Sequence, residues 1–65
     1  MGNMTTQRYT FVMDVGYPVR DYKDCQTDQD ALEHGKGLLL HTNASSVTVY
    51  DGNLDVIGDF DCMDI

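Results

Sequence analysis

Two histidines, His34 and His41, two cysteines, Cys25 and Cys62, and eleven carboxylates are the groups in this 65-residue chain with the chemistry to catalyse or to hold a metal. His34 and His41 lie seven residues apart, two helical turns or about 10 Å, too far to share one ion. Asp30 and His34 stand at i and i+4, where both could reach a metal, but two ligands do not close a site. A surface ion pair on a helix accounts for them. Asp51-Gly52-Asn53-Leu54-Asp55 offers oxygen ligands at the first, third and fifth places of a calcium loop. Val56 then stands where glycine is required and Cys62 where a bidentate glutamate is required, so a hairpin turn explains the segment better. Cys25 precedes a helix N-terminus, a setting that lowers a thiol pKa, yet no base is assigned to it by spacing. Ser45 and Ser46 lack a nucleophile-elbow context, and there is no glycine-rich phosphate loop. The chain reads as non-enzymatic, with no cofactor and no metal.

Charge is the more informative signal. Eleven carboxylates against four bases give a net charge of −7, which opposes direct binding to nucleic acid or to an anionic membrane and favours a basic protein partner. Asp51, Asp55, Asp59, Asp61 and Asp64 fall in the last fifteen residues with no base among them. In a strand, Asp55, Asp59 and Asp61 share one outward face, where alternate residues repeat at about 6.7 Å, a spacing similar to a row of phosphates. Ile57 and Met63 interleave with them, as on a surface that attracts a charged partner and then docks on it. The candidate partner-binding residues are Asp55, Ile57, Asp59, Asp61, Tyr50 and Val12. The function expected is that of a small acidic interaction module docking on a basic protein surface, including a nucleic-acid mimic or inhibitor from a phage or mobile element. In size and charge the chain resembles phage-encoded inhibitors of restriction or CRISPR systems, a likeness of type and not of motif. The alternative is a self-associating structural or accessory protein, a homodimer whose open sheet face meets its own copy. The expected location is cytoplasmic.

The elements that must position these residues are those of one small α+β domain, residues 7–65, with a single helix on one face of a three-stranded sheet. Composition, 42% hydrophobic and 23% charged, is that of an ordinary globular domain. Residues 1–6 are expected to be disordered: Met4 suggests that 1–3 are a cloning remnant, which sets aside the myristoylation pattern at Gly2. The sequons at Asn3 and Asn43 are discounted for want of a signal segment. The longest apolar run, Gly37-Leu38-Leu39-Leu40, is far shorter than the roughly 18 residues of a membrane span.

Tyr9, Phe11, Met13 and Val15 alternate with polar neighbours and predict a half-buried strand over Arg8–Val15, ended by Gly16-Tyr17-Pro18. Val19–Tyr22 forms at most a short extra edge strand. Thr27-Asp28-Gln29-Asp30 has the form of a capping box, and Ala31, Leu32, Gly35, Leu38 and Leu39 make one apolar stripe on the helix it starts. Gly35 costs about 1 kcal/mol against alanine inside a helix, so a close approach to the sheet is implied. Asn43 is the expected left-handed terminator. The segment from Ser46 to Ile57 predicts a hairpin with a two-residue type I′ turn at Asp51-Gly52, pairing Val49 with Leu54 and Val47 with Val56 under the helix. The same alternation turns Gly58, Phe60 and Cys62 inward. A long final strand is favoured in the middle of the sheet, between the Arg8 and Ser46 strands; the order with the Ser46 strand in the middle keeps the same right-handed β-α-β crossover. Cys25 and Cys62 are expected as reduced thiols. A core this small implies either modest stability or a dimer that hides the second sheet face, where Val12, Tyr50 and Ile57 would meet water.

Overall fold

The computed structural model describes residues 5–64, so the residue 1–3 remnant, the Gly2 pattern and the Asn3 sequon lie outside the described residues. The fold is α+β: β1 (Gln7–Asp14), β2 (Pro18–Cys25), α1 (Asp28–His41), β3 (Ser46–Tyr50) and β4 (Val56–Asp61), followed by a short 3-10 turn at Cys62–Asp64. The strands form one antiparallel sheet in the order β2-β1-β3-β4.

Alternation in β1 sets the interior. Tyr9, Phe11 and Met13 point to the helix side, next to Val47 and Val49 of β3, which pair with Met13 and Phe11. Tyr9, Phe11, Val47 and Val49 are fully buried, each contributing roughly 1.5 to 3 kcal/mol of transfer free energy. Ala31 and Leu39 from α1 close over them, with Cys25 and Ala44 completing the buried set. The helix begins where its cap predicts: Thr27 Oγ1 accepts from the Asp30 N–H at 3.1 Å. A Cβ on Gly35 would sit 2.7 Å from Val49 Cγ2, so the absent side chain is what lets α1 approach β3. Gly58 plays the reciprocal part in β4, where a Cβ would meet Leu32 Cδ2 at 2.6 Å.

Five features differ from the sequence expectation. The sheet has four strands, not three, because the segment after Pro18 is a full eight-residue strand paired with β1 along its whole length. Proline is tolerated as the first residue of this edge strand. The last strand is not central. One side of β1 is occupied by β2 and the other by β3, which leaves β4 on the outer edge. As β2 and β3 are both antiparallel to β1, they run parallel to each other, and the crossover through α1 joins them over β1.

The hairpin turn is also longer than two residues. A type I′ turn needs positive φ at both central positions, whereas Leu54 (φ 65°) and Gly16 (φ 101°) are the described residues with positive φ. Asp51 organises the loop instead: its N–H donates to the Asp55 carbonyl (2.9 Å), its carbonyl accepts from Leu54 (3.0 Å), and its Oδ1 accepts from the Asn53 and Asp55 N–H groups at 2.8 and 2.9 Å. Tyr50 therefore pairs with Val56, and a bulge lies between that pair and Val49–Gly58. Leu54 and Val56 leave the expected core and are 68% and 58% exposed. Gly58 and Phe60 keep the inward positions opposite Val49 and Val47, but Cys62 is exposed in the 3-10 turn. Finally, α1 is ended by Thr42 in extended conformation, with Thr42 Oγ1 donating to the Leu38 carbonyl at 2.6 Å, and not by a left-handed Asn43.

Candidate functional site

One face of the sheet is covered by α1 and the other is open. The pairing register orders the open face in rows that run across all four strands. Arg20, Val12, Thr48 and Asp59 make one row; Tyr22, Thr10, Tyr50 and Val56 make the next. Between them lies an open concavity of about 390 Å³ lined by Thr10, Val12, Arg20, Tyr22, Tyr50 and Leu54. Its wall mixes aliphatic and aromatic surface with four groups that can donate hydrogen bonds: a guanidinium, a threonine hydroxyl and two phenols. Arg20 has no ion pair or hydrogen bond among the described residues, while Arg8 Nε lies 3.9 Å from Asp24 Oδ1.

The six candidate residues from the sequence divide into groups. Tyr50 and Val12 line the concavity. Asp59 and Asp61 stand exposed on β4, opposite Thr48 and Ser46. Asp55 precedes β4 and is exposed, its N–H held by the Asp51 carboxylate. Ile57 sits at the bulge and packs, half-buried, against the core. The structure thus gathers Val12 and Tyr50 with Arg20, Tyr22, Thr10 and Leu54, which the sequence reading did not select. Arg20 and Tyr22 already lie in the Val19–Tyr22 edge segment, where alternation with Val19 and Asp21 puts them on one face; pairing that segment with β1 along its whole length is what sets them beside Val12 and Thr10. Leu54 carried no such signal, because its place depends on the loop conformation.

The other candidate chemistry is largely absorbed by packing. His34 pairs across to β2, with Nε2 3.8 Å from Asp21 Oδ2, and its ring meets Phe11 edge-on at 4.8 Å. This replaces the expected pair with Asp30. Cys25 is buried and its thiol pKa is pushed up by that burial, the opposite of the activation its position before a helix suggested; Cys25 and Cys62 are both free. Among the described residues no three histidine, cysteine or carboxylate side chains come together to hold a metal ion.

A polar relay ties the concavity's neighbouring loop to the helix. Gly52 N–H donates to Gln7 Oε1 (2.9 Å), Gln7 Nε2 donates to the Tyr9 hydroxyl (3.1 Å), and that hydroxyl donates to Asp28 Oδ1 (2.6 Å) in the first turn of α1. The Asp28 carboxylate, followed by burial, holds the Tyr9 phenol up at about 12. The relay fixes the loop against β1 and so sets where Leu54 stands at the edge of the concavity.

Among the described residues no helix is long and apolar enough to cross a membrane. No family model, no curated protein and no solved structure gives a significant match to this chain.

Proposed function

We propose that this chain is a non-catalytic protein-interaction module that docks through the open face of its sheet. The observation that carries the reading is the 390 Å³ concavity between Arg20, Tyr22 and Tyr50 on the face α1 leaves uncovered. Tyrosine and arginine are the residues that most often anchor protein interfaces. The net charge of −7, with Asp59 and Asp61 exposed on β4, supports a basic partner surface, including the site of a nucleic-acid-binding protein that a mimic would block. The two free thiols support a reducing, cytoplasmic setting.

A second reading, self-association, is favoured by one specific observation. Arg20 and Asp59 occupy opposite ends of the same row, so the face carries both signs.

Photo-crosslinking tests the docking reading. A benzophenone side chain in place of Tyr22 should give a discrete protein adduct in extract of the source cells, whereas the same group at Lys36, on the exposed side of α1, should not. Equal labelling from both positions, or none from Tyr22, would remove the open face as the docking surface.

A further inference from the structure

We propose that the occupant of the open face is a second copy of this chain, stacked face to face about a two-fold axis that runs parallel to the strands. The inference rests on the reading of that face as a docking surface, takes self-association in place of a basic partner, and adds the orientation.

Charge and register carry this orientation. Arg20 pairs with Val12, Val12 with Thr48, and Thr48 with Asp59, so the four residues stand at one height across the sheet. The cation is on one edge strand and the carboxylate on the other. Three strand spacings separate them, about 14 Å, which prevents Arg20 from neutralising Asp59 of its own chain. A two-fold axis along the strands, above the boundary between β1 and β3, reverses each row and lays it on itself. Arg20 of one copy then faces Asp59 of the other, twice over. In the neighbouring row, Tyr22 faces Val56 and Thr10 faces Tyr50, which covers apolar surface that is otherwise exposed on Tyr22 and Val56.

The other way to stack two such faces fails. An axis across the strands would put β2 over β2 and β4 over β4, setting Arg20 near its own copy and the Asp59 and Asp61 edge against itself. Like charges so placed oppose association. Charge therefore selects the axis along the strands. Aligned sheets cross at about 30°, which displaces edge residues 7 Å from the axis by roughly 3.5 Å, within the reach of an arginine side chain.

The face is small. Four strands at about 4.8 Å and five residues at about 3.4 Å give roughly 330 Å² of plan area per copy, below the size of stable protein interfaces and suited only to weak, transient association. In the row Pro18, Asp14, Ser46 and Asp61 the same axis brings Asp14 of one copy beside Asp61 of the other, and this like-charge approach keeps the dimer weak and concentration-dependent.

Sedimentation of the full chain between about 10 µM and about 1 mM tests it, with reductant present because Cys62 is exposed. The wild type should show a reversible dimer. Arg20→Asp and Asp59→Arg should each weaken association by about tenfold or more, since each places like charges at both contacts. An equimolar mixture of the two variants should associate again, because every contact in the mixed dimer joins opposite charges. Both positions are exposed, and circular dichroism should show both variants folded. A monomeric wild type throughout the range, or a mixture that associates no better than its components, overturns the proposal. If the wild type is monomeric while Tyr22 still crosslinks to a different protein, the second copy is wrong and the docking surface stands. If the wild type is monomeric and Tyr22 gives no adduct, both fall.

Discussion

The two faces of the sheet are built from the same strands, yet they do opposite work. On the helix side, β1 and β3 present Tyr9, Phe11, Met13, Val47 and Val49, all buried. On the open side the intervening residues of those strands, Thr10, Val12, Thr48 and Tyr50, meet charged residues from the two edges, Arg20 and Asp59. The central strands fill the covered face, while on the open face the edge strands add Tyr22 and Val56 to the apolar surface and Arg20 and Asp59 to the charge. The difference is cover: α1 seals one face through the close approach at Gly35, and among the described residues no element packs on the other. Stability therefore resides on the covered side, the docking proposal places recognition on the open one, and substitutions should separate them.

The largest effect is expected from Phe11→Ala, which opens a cavity at the centre of the covered face and should cost about 3 to 5 kcal/mol, against about 1 kcal/mol or less for Val12→Ala on the open face. Urea unfolding of both variants measures the contrast; equal costs would break the comparison.

Tyr9→Phe comes next, at about 1 to 2 kcal/mol near neutral pH, because it removes the hydroxyl that bonds the Asp28 carboxylate. The loss should depend on pH. The phenol's ordinary value is 10 and its folded value about 12, so above pH 10 the unfolded chain releases a proton that the folded chain retains. The stabilisation is complete below about pH 10 and is lost as pH rises through about 12. Alkaline unfolding curves of the wild type and Tyr9→Phe should therefore converge over that window; parallel curves would show that Tyr9 is not held in this way.

The two helix glycines should respond oppositely, at smaller amplitude. Gly35→Ala drives a Cβ into Val49 and should lose about 1 kcal/mol net, since overpacking exceeds the gain in helix propensity. Gly37→Ala meets nothing within 4 Å and should gain about 1 kcal/mol. Thermal melts read the sign directly, and two shifts of the same sign would refute the close approach. Smallest of all is Arg20→Ala, expected to change stability by less than about 0.5 kcal/mol because Arg20 is exposed and has no ion pair or hydrogen bond among the described residues.

Much of the covered face was legible locally. The alternation of Tyr9, Phe11 and Met13, the Thr27 cap, and the need for closeness at Gly35 each depend on neighbours a few residues away. Val47 and Val49 were legible for the same reason. The open face was not, because its edges depend on partners distant in sequence. In β2 the residues turned to the helix side include Asp21 and Lys23 as well as Val19, so no apolar alternation marks the strand; its pairing with β1 makes it one. Leu54 and Val56 look like core residues next to an Asp-Gly pair until the loop's own bonds are counted.

What the sequence determined alone is the periodic part: the period of two in β1 and β3, the helical stripe, the cap that starts it, and the excess of carboxylates. These follow from short-range backbone geometry and from composition. Tertiary structure decided the strand order, the turn and the rows of the open face. Gln7 reaches forty-five positions along the chain to bond Gly52, and the choice among turns that are locally similar in energy is made by such bonds and by which strand lies alongside. Those contacts exist only once the chain has closed on itself.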